Sequence, residues 1–493
     1  MSEVVLVLGA LLALAAVAVA LLGDSPRLRL ASLTLALVVA SALVVSRAWG
    51  GPLQALRDEP ASLLLACVGA LLLVALVTAA FVRIPSAFPL AAVAALPFRV
   101  PIELGGETSN LLVPLYLVLA AGLCAALYRS RLSFEGPVRT PRLLRIALAV
   151  AILAYGLAAT YSLDREAAVE TVAFFVVPFG ALFCLLEGVN WSRRLLLASL
   201  VIVVGEASIF ALVAIAQQVA GEVFWNRSLI VSNEFHLYLR SNSLFWDPNV
   251  FGRYAAVAVV LAVSAATWAP QRGKWTYLLW AGIVLSWSGL LFSWSQSGFI
   301  ALVGGLLALA ALRYSAKLAL IATPVVAVIL VLGATLGTSA DSGRSTGDEA
   351  TSGRESLVSG GLQLAADRPV YGWGAGSFPE AFGNAEQVPE GRTTVSHPEP
   401  VTVLAEQGLI GFAAYAFLTL AAAWTLFGRM RGRVPGLGAR PADVDWAMAA
   451  RIGLAAVGLA LFVHTLAYAG NLTDPLTWTL LALAGVLRMR GAD

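Results

Sequence analysis

The feature that most limits what this chain can fold into is a series of apolar stretches, each about the length of one membrane crossing, repeated almost from end to end. A hydrocarbon core about 30 Å thick is crossed by about 20 mostly apolar residues in a helix. Stretches of that kind lie near 4–22, 30–46, 61–82, 110–128, 143–160, 167–187, 195–219, 252–269, 275–292, 297–312, 317–337, 401–427, 447–469 and 474–488. These fourteen runs predict an all-α polytopic membrane protein, because in hydrocarbon a spanning segment must satisfy its own backbone N–H and C=O groups. A shorter apolar stretch, Pro85 to Pro97, is bracketed by prolines and reads as a re-entrant or broken element. If it crosses, the count becomes fifteen and the N-terminus changes side. The first run follows Met1-Ser2-Glu3 without a basic leader, so it reads as a retained span.

Charge content agrees. Only 12% of the 493 residues are Asp, Glu, Lys or Arg, against about a quarter in soluble chains. A soluble enzyme, a disordered chain and, with a net charge of +3, a basic nucleic-acid binder are excluded. Cys67, Cys124 and Cys184 each sit inside an apolar run, where a thiol behaves as a small hydrophobe, so neither a disulfide framework nor a cysteine metal site is implied.

Orientation follows from basic residues in short loops. Segments 129–145, 188–195, 270–275, 313–317, 428–451 and 488–493 hold 18 Lys and Arg and are assigned to the cytoplasm. The other side, from residue 99 onward, holds nine, of which seven lie in two long loops near 220–253 and 338–400. His236 and His397 fall in those loops and His464 near the same face, which makes the outer side the expected chemical face. The chain divides into N-terminal spans (1–194), a core of spans with an outer loop at 220–251 (195–337), a large non-cytoplasmic loop (338–400) and C-terminal spans (401–493).

The large loop begins Gly/Ser/Thr-rich over 338–354 and should be mobile there. It continues into a weak helical pattern over Glu355 to Ala366 that Pro369 stops. A glycine-dense turn follows over 371–378, YGWGAGSF. Such a turn either brings backbone N–H groups close to a ligand or is simply tight; it lacks the strand and lysine of a P-loop. In the shorter loop, Asp247-Pro248-Asn249 signals a helix start with Asp247 or Asn249 as cap.

Five segments together resemble the O-antigen ligase and O-antigen polymerase superfamily of bacterial envelope glycosyltransferases. They are FRVPIELGGETSNLLVPLY (98–116), RSNSLFWDPNVFGRY (240–254), FSWSQSGFIAL (292–302), SGRESLVSGGLQLAADRPVYGWGAGSF (352–378) and HPEPVTVLAEQGLIG (397–411). The last two carry the more specific pattern, an Arg, then D-x-P-x-x-G-x-G-x-x-x-F as it stands over 367–378, then a His followed by E-x-G-L-I-G. Two positions depart from it: Ser295-Gln296 stands where the family usually has Ser-Arg, and His397-Pro398 where it has His-Asn. The resemblance implies a GT-C-like fold in the bacterial cytoplasmic (inner) membrane, with its active site facing outward. It further implies a donor glycan on a polyprenyl diphosphate and an acceptor hydroxyl on a glycan, lipid or protein.

Such a transfer needs stabilisation of the leaving diphosphate and activation of the acceptor. Arginine suits the first and histidine the second. His397 is therefore the expected acceptor-activating residue, and Arg240, Arg354, Arg253, Arg368 and Glu406 are the expected diphosphate and substrate contacts. No cofactor or metal is expected, since the lone D-x-D, Asp443 to Asp445, precedes a span as a cap would. The alternative is a transporter or flippase of lipid-linked glycans, for which Glu206, in the middle of a span, is the best support.

Overall fold

The computed structural model describes residues 3–49, 58–104, 107–130, 140–234, 238–268, 273–314, 354–386, 398–430, 445–468, 470 and 472–490. Twelve of its helices are long and apolar enough to cross a membrane. They are α1 (Glu3–Leu22), α2 (Pro26–Ala48), α3 (Pro60–Arg83), α5 (Val113–Ser130), α6 (Arg142–Thr160), α7 (Arg165–Glu187), α8 (Arg193–Ala220), α10 (Pro248–Ala266), α11 (Lys274–Ser293), α12 (Gln296–Arg313), α15 (Glu399–Phe427) and α16 (Trp446–Ala467). Shorter helices are α4 (Ala87–Ala95), α9 (Arg227–Glu234), α13 (Arg354–Asp367), α14 (Phe378–Glu386) and α17 (Pro475–Arg490). The chain is an all-α polytopic membrane protein, and thirteen of the fourteen apolar runs coincide with helices. The run at 317–337 and the stretch 338–353 lie outside the described residues.

Local sequence sets the helix starts. Pro26 and Pro60 occupy first-turn positions, where a missing N–H costs nothing. Asp164, Ser192, Asp247, Ser295 and Asp445 each accept a backbone N–H of the first turn from the cap position. The cap roles read from sequence for Asp247 and for the D-x-D aspartate Asp445 are thus both seen. Helix α13 ends at Asp367, two residues before Pro369.

Ion pairs and carbonyl contacts identify the two ends of the bundle. At one end Arg165 meets Glu3 at 3.0 Å, and Arg47 meets Glu166 at 2.8 Å and Glu170 at 2.9 Å. At the other end Arg29 pairs with Glu187, Arg145 Nη1 donates to the Leu21 carbonyl at 3.0 Å, and Arg129 holds the Phe81 carbonyl. There too Arg488 holds the Trp424 carbonyl and Arg490 that of Trp191.

Since α3 and α5 both finish at this second end, the segment between them must carry the chain back to the first. Helix α4 has nine residues, about 14 Å at 1.5 Å each, too short to cross alone. The proline-bracketed stretch is therefore a broken element, completed by residues 96–99 and an antiparallel hairpin of β1 (Val100–Leu104) and β2 (Glu107–Leu111) paired Val100↔Leu111 to Leu104↔Glu107. This hairpin is the one sheet among the described residues.

Two of the four hydrophobic cores among the described residues make up most of the bundle interior. One joins α1, α2, α5, α6 and α7 around the buried Phe179, Phe183, Trp191 and Trp478. The other joins α10, α12, α16 and α17 around Val260, Ile452 and Leu480. Helix α7 contains a π-helical turn, Val172–Val176, closed by the Val177 N–H on the Val172 carbonyl. Such turns rotate the helix face locally, and here Thr171, Phe175 and Val176 border the cavity described next.

Candidate active site

A cavity of about 990 Å³ opens at the end of the bundle that carries Glu3 and Arg165, bounded by the broken element, α6, α7, α10, α13, α15 and the segment after α16. One wall is built by a backbone joint. Helix α15 is interrupted at Gly408, whose φ of 60° and ψ of −161° belong to a region open essentially to glycine. The interruption frees backbone groups, and the loop after α13 takes them up. Leu409 and Ile410 donate to the Pro369 and Val370 carbonyls at 2.8 and 3.2 Å, and Trp373 and Gly374 donate to the Ala405 and Glu406 carbonyls at 3.0 and 2.7 Å. A Cβ at Gly408 would run into the Val370 carbonyl carbon, and one at Gly374 into Ser162 Cα. The glycine-dense turn is thus a tight-packing element whose N–H groups at 373–375 bond within the protein.

The joint presents the Glu406 side chain. It is 6% exposed, lines the cavity, and accepts the N–H of Phe378, the first residue of α14, at 3.1 Å. Beside it on the cavity surface are Tyr155, Gln407 and Tyr415.

A second part of the cavity surface carries charges of both signs. Arg253, 5% exposed, lies with its Nε 3.0 Å from Asp474 Oδ2, and Asp474 Oδ1 accepts the Leu476 N–H at 3.0 Å at the start of α17. Arg99, from the stub between α4 and β1, lines the same part. Asp247 caps α10 and its second oxygen accepts the Tyr468 hydroxyl at 3.0 Å. Glu399 Oε2 accepts the Gly470 N–H at 2.5 Å.

Burial, Asp247 and the hydrogen bond to it raise the Tyr468 phenol above its ordinary range, so it remains a donor at neutral pH. The guanidinium groups of Arg99 and Arg253 stay charged.

The expected site residues are distributed as follows. Arg253 and Glu406 both line the cavity. Arg240 stands behind its rim, its Nη2 3.4 Å from the Asn249 amide oxygen, to which Ser295 Oγ also donates at 3.1 Å; Asn249 lines the cavity. Ser295, the residue before the family departure at Gln296, is therefore a buried polar hub. Arg354 begins α13, and Ser356 and Leu357 of the same first turn border the cavity. Arg368 lies over the Trp373 ring, 3.8 Å from its centroid, and braces the loop. His397 lies outside the described residues, as do His236 and the first third of the large loop; Glu399, two positions on, is at the cavity. His464 is fully buried on α16.

Arg99, Tyr468, Asp474 and Glu399 were not singled out as site residues from sequence. Arg99 offered one signal, since it falls in the first of the five resembling segments. The other three gain their place only through contacts across 71 to 221 residues of chain. Among the described residues no group of three His, Cys, Asp or Glu is arranged to hold a metal ion.

The family model described as O-antigen ligase matches residues 281–416. That stretch runs from within α11 through α12, α13 and α14 to the interrupted half of α15, and contains Arg354, Arg368, His397 and Glu406. No curated protein matches the chain.

Proposed function

We propose, from the O-antigen ligase domain that residues 281–416 make up in this polytopic membrane chain, that the cavity transfers a glycan from a polyprenyl diphosphate to an acceptor hydroxyl. The coarser assignment, a glycosyltransferase of the O-antigen ligase or polymerase type, rests on the family match itself. The observation that carries the finer reading is the composition of the cavity. The matched domain delivers Glu406 and Glu399 to the cavity surface, and Arg253 and Arg99 line the same cavity. A leaving diphosphate needs fixed cations, and guanidinium groups supply them in a geometry suited to phosphate oxygens.

His397 is the acceptor-activating residue in this reading, placed by sequence two residues before Glu399. Arg253 and Arg240 hold the diphosphate, with Arg354 joining them from the start of α13. Glu406 orients the acceptor, and Arg368 supports the turn that presents it. The donor carries its own activation, so neither a nucleotide sugar nor a metal ion is required. The basic residues Arg29, Arg129, Arg145, Arg193, Arg194, Arg313, Arg429, Arg451, Arg488 and Arg490 support placing the opposite end in the cytoplasm and the cavity outside the inner membrane.

Transport is the weaker reading. Its support, Glu206, accepts the Tyr254 hydroxyl at 2.6 Å between α8 and α10, which gives that carboxylate a structural partner.

The test is transfer by purified protein supplied with a polyprenyl-diphosphate glycan and candidate acceptors, in chelator and without nucleotide. A new glycan linkage is expected, and His397→Ala should reduce its rate on the order of 100-fold or more. Vectorial movement of the lipid without linkage, or near wild-type transfer by His397→Ala, would contradict the assignment.

A further inference from the structure

We infer that Arg99, which lies outside the matched domain, is a direct contact for the diphosphate; the inference rests on reading the cavity as the transfer site. Arg99 lines the cavity and also, with Arg253 and Asp474, a crevice of about 10 Å³ beside it. Two guanidinium groups thus stand beside one carboxylate, which pairs with Arg253. That carboxylate is already committed, one oxygen to Arg253 and the other to the Leu476 N–H. Arg99 itself makes no ion pair or hydrogen bond among the described residues.

The remaining acids on the cavity surface each accept donors other than Arg99. Asp247 holds Tyr468 and the first turn of α10, Glu399 holds the Gly470 N–H, and Glu406 holds the Phe378 N–H. Asp474 offsets one of the two guanidinium charges, and an anion in the cavity would offset the other. A guanidinium offers two parallel N–H donors to adjacent oxygens, the pattern a phosphate accepts.

The residues on either side of Arg99 are anchored by contacts. Phe98 meets Phe210 edge to face with centroids 5.8 Å apart, and Val100 opens the hairpin by pairing with Leu111. The broken element therefore has a purpose beyond carrying the chain across: it ends in an extended stub that can aim a side chain into the cavity, which a continuous helix at this position would not.

The experiment measures binding to full-length protein in nanodiscs, with farnesyl diphosphate and farnesol as probes. Arg99→Gln should weaken farnesyl diphosphate on the order of 10-fold to 100-fold, the loss of a charge-assisted contact, and leave farnesol unchanged. Arg99→Lys, which keeps the charge and loses the fork, should fall between and guards against a folding defect in the first variant. Inorganic pyrophosphate should compete with the probe. Unchanged farnesyl diphosphate binding by Arg99→Gln, equal loss of both probes, or competition by glucuronate but not pyrophosphate would overturn the inference. If binding behaves as expected but wild-type protein forms no glycan linkage, the anion contact stands and the transferase reading falls.

Discussion

The backbone N–H of Gly374 donates to the carbonyl oxygen of Glu406 over 2.7 Å, joining the turn after α13 to the interruption in α15. The joint couples two distant requirements. Helix α15 must break at Gly408 for its carbonyls to become available, and the turn must be nearly free of side chains to reach them. The result is a buried Glu406 held at a defined place on the cavity wall.

Gly408→Ala should therefore destabilise the protein by about 1–3 kcal/mol from backbone strain alone, with an added clash against Val370. Retention of monodisperse protein after graded heating in detergent measures this, and transfer should fall with it. Gly69→Ala on α3 is the control, because a Cβ there meets nothing within 4 Å and the change favours helix. Equal behaviour of the two variants would refute the role assigned to the break.

Arg253 and Asp474 form a buried pair, and removing one partner strands the other. Arg253→Gln or Asp474→Asn should each cost about 3–5 kcal/mol. The double substitution should cost less than the sum, because neither charge is then left alone. Denaturation of the four proteins measures the coupling. If Arg253 also holds the diphosphate, the double variant recovers stability without recovering transfer.

Side-chain contacts put Glu3 at the cavity end and Asn190 at the opposite one. With Cys67, Cys124 and Cys184 replaced by serine or alanine, Glu3→Cys should react with a membrane-impermeant maleimide added to intact spheroplasts. Asn190→Cys should react only after permeabilisation. The reverse pattern would invert the proposed orientation.

Glu206→Gln keeps a hydrogen-bond partner for Tyr254 and should leave the transfer rate within about threefold, as expected for substitutions away from the reacting groups. A loss on the order of 100-fold, the scale on which a preorganised charge matters, would restore a functional role to this mid-span carboxylate and with it the transport reading.

Much of the architecture is legible in the chain because a bilayer imposes a length and a composition on every crossing. Helix starts at Asp247 and Asp445 and the end of α13 before Pro369 are equally local. The hairpin is not. Its strands are five residues each and lie between apolar runs, so helical periodicity hides them. A Gly-Gly pair between two short segments, as at 105–106, is the kind of sequence signal that accompanies hairpins. The candidate site was half legible: Arg253 and Glu406 belong to recognisable segments and do line the cavity. Arg368 belongs to one too, yet stacks on Trp373, because a side chain's direction depends on the fold of its turn.

The sequence by itself determined that this is a helical membrane protein with five segments that resemble the O-antigen ligase superfamily. Span length, charge bias and local caps are short-range properties, written within a few residues of where they act. Only the tertiary structure decided which charges are partnered and which face the cavity. Asp474 neutralises Arg253 across 221 residues, the 369–376 turn closes the gap at Gly408, and Arg99 reaches the same wall from the N-terminal half. Those relations depend on long-range packing in a bundle where few charges are present, so the position of each one carries unusual weight.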